Sequence, residues 1–335
     1  MKTIECYSVG EAVVSGVRLL LSEGVLSTSR NGTTLTLQEP ASTRYADPRD
    51  RVLLCPVRDA NPFFHFFEGL WMLAGRCDVE FLAQFNPRMR EFSDDNKTLH
   101  GAYGNRWRHK LGFDQLPQLI SELRRDPTSR RAVLSMWSPF WDLQRLEGAK
   151  DVPCNTHIYF DLRGGCLNMQ VCNRSNDIIW GAYGANFVHM TMLQEYVAAQ
   201  LRADVGWYEQ TSFNYHLYPD NPGVRKFIEH LKADPTIHKL ETAANLELVS
   251  NPATFDAELE LAFRKGFNIS EMRGSRACYN AVFADTAWPM YQAWQLWQSK
   301  DLRALDAANN IVDPAWRQAC YEWLARRLLK ESSNA

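Results

Sequence analysis

Residues 151–177 read DVPCNTHIYFDLRGGCLNMQVCNRSND, and the fold turns on how this stretch doubles back on itself. Two β-prone runs, THIYFDL and CLNMQVC, flank Arg163-Gly164-Gly165. Glycines between two such runs read as the tight turn of a hairpin. That hairpin puts Cys154 just before the first strand and Arg174 just after the second, so Asn173-Arg174-Ser175-Asn176-Asp177 returns toward the cysteine. A cysteine reacts as its thiolate, and a guanidinium beside it favours that form. Cys154 is thus a candidate nucleophile with Arg174 as its cationic neighbour. The competing reading is a buried inert thiol, the usual state of free cysteine, and Cys166 and Cys172 on the second strand fit it.

Working outward, RAVLSMW (131–137) reads as a further buried strand, so that it and CLNMQVC belong to a sheet covered on both faces. NFVHMTMLQEYVAAQLR (186–202) reads as a helix buried over much of its surface, and DQLPQLISELRRDP (114–127) as a surface helix closed at Asp126-Pro127. NPFFHFFEGLWMLAG (61–75) is apolar almost all round, with Asn61 as N-cap, Pro62 in the first turn and Gly75 as the stop. Glu68 is the anomaly there: a lone carboxylate in apolar surroundings must find a partner or keep its proton. A helix ending at Gly24 and a strand in GTTLTLQEP open the chain. After about residue 250 only helical patterns remain, the last with Asp313 as N-cap and Pro314 first, which reads as an appendage or a lid. No repeat or long linker divides the 335 residues. The expected arrangement is a catalytic core over 1–250 and a helical extension over 251–335 packed on the same domain.

Composition excludes several classes. A hydrophobic fraction of 45% with 11 Trp and 17 Phe is too rich for disorder, and no apolar run is long enough to span a membrane. The start, MKTIECYSVGEAVVSG, lacks the pattern of a secretory leader, so the eight cysteines are expected as thiols in a reducing cytoplasm. No CxxC pair occurs and the histidines are scattered, so no metal is expected. A net charge of −2 lacks the footprint of a nucleic-acid binder, although Arg130-Arg131 could hold one phosphate group.

Several motifs together resemble the thymidylate synthase family, which includes the pyrimidine nucleotide hydroxymethylases. SRNGTTLTL (29–37) resembles the phosphate loop, with Arg30 at its arginine. CPVRDANPFFHFFEGLWMLAG (55–75) is similar to the helix that follows, with Arg58 near a folate-facing lysine and Glu68 at the catalytic glutamate. GAYGNRWR (101–108) carries Tyr103 at the active-site tyrosine. DPTSRRAVLSMW (126–137) resembles the segment whose arginines reach a partner subunit's nucleotide. PCN, NRSND, GANF and HLY then stand, in order, at the nucleophile, the phosphate and folate motif, the pyrimidine-reading asparagine and the ribose clamp.

The resemblance implies an α/β (α+β) fold with a large mixed sheet, two copies of which stack as a homodimer with shared active sites. It implies that Cys154 adds to C6 of a uracil ring, so that C5 can attack the methylene carbon of 5,10-methylenetetrahydrofolate. Arg30, Arg174, Ser175 and the partner's Arg130 and Arg131 would hold the phosphate, and His216 and Tyr218 the ribose. Asp177, Arg58 and Gly181 would lie on the folate side. Glu68 would assist proton movements, and Tyr103 would help remove the C5 proton. Asn186 would meet uracil N3-H and O4, which makes dUMP the expected nucleotide; cytosine would call for a carboxyl group there. Asn186 could also be the N-cap of its helix.

The departures from the synthase pattern point to the product. Asn155 stands where a histidine is usual, and Asn173 where a glutamine is. Met89 and Phe92, in NPRMREFSDDN, stand where synthases put tryptophans against folate. WGAYGANF is one residue longer than its counterpart, and LARRLLKESSNA replaces a short apolar end that closes over folate. A changed folate wall that admits water would turn an exocyclic methylene into hydroxymethyl instead of methyl. The expected enzyme is a deoxyuridylate hydroxymethylase of bacteriophage type. The alternatives are a thymidylate synthase, a dCMP or CMP hydroxymethylase, and a non-catalytic nucleotide-binding protein.

Overall fold

The computed structural model of the chain describes residues 1–234, 246–272 and 280–332. Among them, β1 (Lys2–Cys6), β2 (Val25–Ser29), β3 (Gly32–Thr36), β4 (Ala41–Tyr45), β5 (Val133–Ser135), β6 (Asn155–Arg163), β7 (Cys166–Asp177) and β8 (Asp204–Leu217) form one mixed sheet. Its order is β1-β4-β8-β7-β6-β5, with β3 beside the end of β8 and β2 beside β3. The chain therefore opens on a strand, before its first helix, Val9–Glu23.

The hairpin forms as its glycines require. Gly164 and Gly165 take φ of 58° and 82°, and Arg163 pairs with Cys166. The second strand runs farther than the alternation of CLNMQVC indicates, because β8 pairs with it in parallel as far as Asp177 opposite His216. Arg174 consequently lies inside β7, not beyond it.

RAVLSMW is only partly a strand. β5 is a short edge strand paired with β6, and its Val133 is exposed, so this element is not covered on both faces. Val133, Tyr159 and Phe213 are exposed on one side of the sheet. Cys166 and Cys172 are half-buried instead of core thiols, Cys166 at the hairpin turn and Cys172 opposite His157.

The other side of the sheet carries the helix Ala185–Leu201, which packs on β7 and β8 below and on the helix Pro62–Leu73 above. A helix between two layers must be apolar nearly all round, and this one buries Phe187 through Ala198 without a break. The Pro62 helix is capped by Asn61, whose Oδ1 accepts from the Phe64 amide at 3.1 Å, and Gly75 ends it at φ 68°.

The extension forms the next layer. Its last helix, Pro314–Ser332, starts at Asp313, whose Oδ1 accepts from the amides of Ala315 and Trp316. Trp294 and Trp323 meet Phe63 at 5.3 and 5.7 Å between ring centres, and Trp316 meets Phe66 at 5.2 Å. Each such ring contributes about 2 to 3 kcal/mol by burial. The extension is thus part of the core behind the Glu68 helix. Near its end, Arg326 and Arg327 pair with Asp59 at 3.1 and 2.6 Å, beside Arg58.

Candidate active site

Strand pairing brings Cys154, Arg174, Ser175, Asp177 and His216 to one end of the sheet. Cys154 precedes β6, and its carbonyl accepts from the Arg174 amide at 3.0 Å. Arg174 Nε donates to Pro153 O and Nη2 to Val152 O, both at 2.9 Å, and Nη2 lies 3.8 Å from Cys154 Sγ. Arg30, in the β2–β3 turn, donates to the carbonyls of Ala149 and Lys150 at 2.8 and 3.0 Å. Two guanidinium groups thereby clasp one segment, 149–153. Ser175 follows on β7, Asp177 pairs with His216, and the His216 ring meets that of Tyr218 at 5.3 Å.

Arg174 does not leave Cys154 readily ionised. Burial pushes the thiol above its ordinary value; Arg174 and then Arg30 pull it down, while Asp151 and Asp177 push it up. Arg174 does favour the thiolate, as its place beside Cys154 implies, but desolvation is the larger influence. Tyr103 is buried too, and burial, with Cys154 and Asp151 adding to it, drives its hydroxyl well above the usual tyrosine range. The loop holding it is pressed on the Glu68 helix, since a Cβ on Gly104 would come 1.8 Å from the Met72 carbonyl oxygen. Asp151, which the sequence reading passed over, ties this loop to the cysteine segment by accepting from the Gly101 amide at 2.7 Å.

Glu68 is buried but not alone. Its Oε2 lies 2.8 Å from Nε2 of His189, on the Ala185 helix. Asn186 is the second residue of that helix and not its cap, a position held by Gly184. It sits against Gly181, where a Cβ would meet Asn186 Nδ2 at 3.0 Å and Asn176 Oδ1 at 2.6 Å. Only glycine lets the two amides approach this closely. Asn155 Nδ2, Asn173 Oδ1, Asn176 Oδ1, His189 Nδ1 and His216 Nδ1 are buried without a protein partner. An unpaired buried polar atom costs about 1 to 3 kcal/mol, so each of these keeps bonding capacity that a polar ligand or a water would satisfy.

On the next side of the cleft, Arg58 donates to Ile179 O from Nε at 3.3 Å and from Nη2 at 2.7 Å, and stacks 4.2 Å above the Trp180 ring. Burial lowers its pKa to about 10, which leaves it charged at neutral pH. Asp177 Oδ1 accepts from the amides of Ile179 and Trp180, yet burial still pushes its carboxyl up to about 6. Trp180 is 47% exposed, an indole open at the mouth of a site. Sequence reading assigned it no role and gave Met89 and Phe92 as folate-side residues. Met89 packs partly on the core and Phe92 is exposed, on the short helix Met89–Phe92, and no ring contact joins Phe92 to Trp180 among the described residues.

Arg130 and Arg131 are not brought to the site within one chain. Both are exposed on the segment before β5, Arg131 pairs with Glu122 at 3.2 Å, and neither is among the largest electrostatic influences on Cys154. A crevice between residues 51–62 and the last helix has a volume of only about 20 Å³, room for a water but not a nucleotide. Among the described residues no three His, Cys, Asp or Glu side chains group as a metal site would require, and no helix is long and apolar enough to cross a membrane.

Cys154 with Arg30 and Arg174 around its segment, a buried glutamate and an asparagine at a helix start make up the candidate site, and residues 14–260 match the thymidylate synthase family. The chain belongs to that family. It is 40% identical to the deoxyuridylate hydroxymethyltransferase of Pseudomonas phage M6 over 98% of this chain and 95% of that protein. It is 36% identical to the protein of that name from Bacillus phage SP01, over 56% of this chain and 51% of the other. A thymidylate synthase from Vesicomyosocius okutanii is 26% identical over 61% of this chain and 78% of its own length.

Proposed function

We propose that the protein is a deoxyuridylate hydroxymethyltransferase, converting dUMP, 5,10-methylenetetrahydrofolate and water to 5-hydroxymethyl-dUMP and tetrahydrofolate. One observation carries the choice of product: the chain is 40% identical to the Pseudomonas phage M6 enzyme over 98% of its length, through the helical extension, against 26% identity to the thymidylate synthase over 61%.

Each side chain then has work suited to its place. The Cys154 thiolate adds to C6 and makes C5 nucleophilic toward the methylene carbon. Arg30 and Arg174 exchange the carbonyls of 149–153 for the dianionic phosphate, with Ser175 adding a hydrogen bond. His216 and Tyr218 hold the ribose hydroxyl. Asn186, brought against Gly181, offers its carbonyl to uracil N3-H and its amide to O4. Tyr103, kept protonated by burial, relays the C5 proton through its hydroxyl instead of ionising. Glu68 moves protons at O4 and at the folate nitrogen.

The folate side is Arg58, Asp177, Gly181 and Trp180, together with Met89 and Phe92 from the short helix Met89–Phe92. Asp177 accepts from the pterin N-H groups, and the exposed indole of Trp180, backed by Arg58, gives the ring a surface to stack on. A single such surface leaves one side of the exocyclic methylene open to water. The uncovered row of Val133, Tyr159, Gln170 and Glu209 across the sheet suits a second copy, whose Arg130 and Arg131 complete the phosphate site. The unpaired thiols suit a reducing cytoplasm. Incubation with methylenetetrahydrofolate and each of dUMP, dCMP and CMP, with both products identified by mass, tests the reading. Hydroxymethyl-dUMP with tetrahydrofolate is expected; dTMP with dihydrofolate, or turnover of dCMP alone, would overturn it.

A further inference from the structure

We propose that His189 is a positioning residue that shares one proton with Glu68 and enables that carboxyl to serve as acid early in a turnover and as base late in it. The inference rests on the hydroxymethylation read above. His189 Nε2 and Glu68 Oε2 are 2.8 Å apart, and both residues are almost wholly buried. An isolated charge in that setting costs several kcal/mol, and one proton held between the two leaves the pair neutral overall. His189 stands three residues after Asn186 on the same helix, so the two side chains share a face and the pair lies one turn from the base-reading amide. Its Nδ1 has no protein partner, so Glu68 is the one group that the described structure gives the ring to bond.

The other groups around the pair leave it alone in this role. From the Pro62 helix, His65 also faces His189, but burial, with Arg58 and His189 adding to it, lowers its pKa to about 3 and keeps it neutral. Arg58 is fixed on Ile179 O, and Asp177 bonds the amides of Ile179 and Trp180. The buried side chains of β7 and β8, among them Asn173, Asn176, Tyr208 and Gln210, carry no charge, and His216 is pushed down by burial.

The reaction needs one proton out and one in. Opening the folate bridge places a proton on the nitrogen that leaves the methylene first. The C5 proton then goes to the second nitrogen as tetrahydrofolate departs. When water adds, its oxygen bonds the exocyclic carbon, the pair of the C5–CH2 double bond moves into the enolate at C4, and the water's proton is taken up. Collapse of the enolate re-forms the C5–C6 double bond and expels the Cys154 thiolate. A glutamic acid that gives the first proton and regains the last ends as it began, and a histidine that can hold that proton meanwhile lowers the cost of the charged interval.

Replacement of His189 by Gln keeps an N-H toward Glu68 but no proton to share, whereas His189→Ala keeps neither. With wild type as reference, the measurements are 5-fluoro-dUMP binding, and kcat and tritium release from 5-tritiated dUMP between about pH 5.5 and 9.5. Expected for His189→Gln is nucleotide binding within about twofold of wild type, kcat at least about tenfold lower, and loss of one limb of the pH profile of tritium release. A His189→Gln profile with both limbs and wild-type kcat overturns the proposal. So does a loss confined to nucleotide binding and equal in the two variants, which is a packing role. If wild type makes dTMP, hydroxymethylation falls, and the tritium profile still judges His189.

Discussion

Arg174 holds its guanidinium 3.8 Å from the sulfur of Cys154 while bonding the carbonyls of Val152 and Pro153, so one side chain shapes the nucleophile's loop and faces its charge. In the free protein burial outweighs that charge, and the thiol lies above its usual value. Alkylation of Cys154 by iodoacetamide, followed by mass spectrometry of its peptide, is therefore expected to accelerate steadily from neutral into alkaline pH. Since Arg174 pulls the thiol down, Arg174→Gln raises its pKa further and slows alkylation at neutral pH. A variant that reacts as fast as wild type there would remove Arg174 from the ionisation of Cys154. Cys154→Ala is expected to lose all turnover and to keep nucleotide binding.

Asp177 carries a cost of burial within the fold. Its carboxyl is raised by burial from an ordinary 3.8 to about 6. A carboxyl raised on folding favours the native state when protonated, so its contribution falls as pH rises from the unfolded value through about 6 and is level above that. The shift corresponds to roughly 2 to 3 kcal/mol at 1.36 kcal/mol per pH unit. Asp177→Asn keeps an oxygen for the amides of Ile179 and Trp180 and removes the buried charge. It is expected to be more stable than wild type to urea at about pH 8, with the difference closing toward pH 4, and to bind tetrahydrofolate more weakly. Equal stability at both pH values would mean that the charge is not strained in the fold.

What could be read from the sequence was what periodicity and capping encode. Asn61, Pro62 and Gly75 marked one helix, Asp313 and Pro314 another, and Gly164-Gly165 the hairpin. The motif residues Cys154, Arg30, Arg174, Asp177 and His216 do converge, because β3, β7 and β8 align their ends. The misses were nonlocal. The length of β7 depends on its pairing with β8, a strand far ahead in the chain, and the exposure of β5 depends on being at an edge. His189 stood unremarked in a buried helix, and its contact with Glu68 arises only where the Pro62 helix crosses it; Trp180 stood unremarked in WGAYGANF, and its turn outward over Arg58 is likewise set by the fold.

Trp180 offers a direct measure of the folate wall. Its ring is backed by the Arg58 guanidinium on one side and has 47% of the residue's surface open. If the pterin stacks there, Trp180→Ala loses about 1 kcal/mol or somewhat more of stacking, close to tenfold in affinity, whereas Trp180→Phe retains most of it. Calorimetric titration of tetrahydrofolate into the enzyme saturated with 5-fluoro-dUMP reads this without turnover. Unchanged affinity in the alanine variant would move the wall back to Met89 and Phe92.

Arg130 and Arg131 test whether two chains share a site. Within one chain they are exposed, and Arg131 pairs with Glu122. A variant with both changed to Gln should lose most nucleotide affinity, since each charge-assisted contact to phosphate contributes about 1.5 to 3 kcal/mol. It should be nearly inactive alone, as should Cys154→Ala. In an equal mixture of the two, unfolded and refolded together, half of the dimers are mixed, and each mixed dimer has one site with an intact cysteine from one chain and intact arginines from the other. Activity should therefore recover to about a quarter of wild type, the statistical value for a twofold dimer with sites built across its interface. A refolded mixture no more active than its parents would place the arginines outside the partner's site and leave Arg30 and Arg174 as the phosphate's cationic holders.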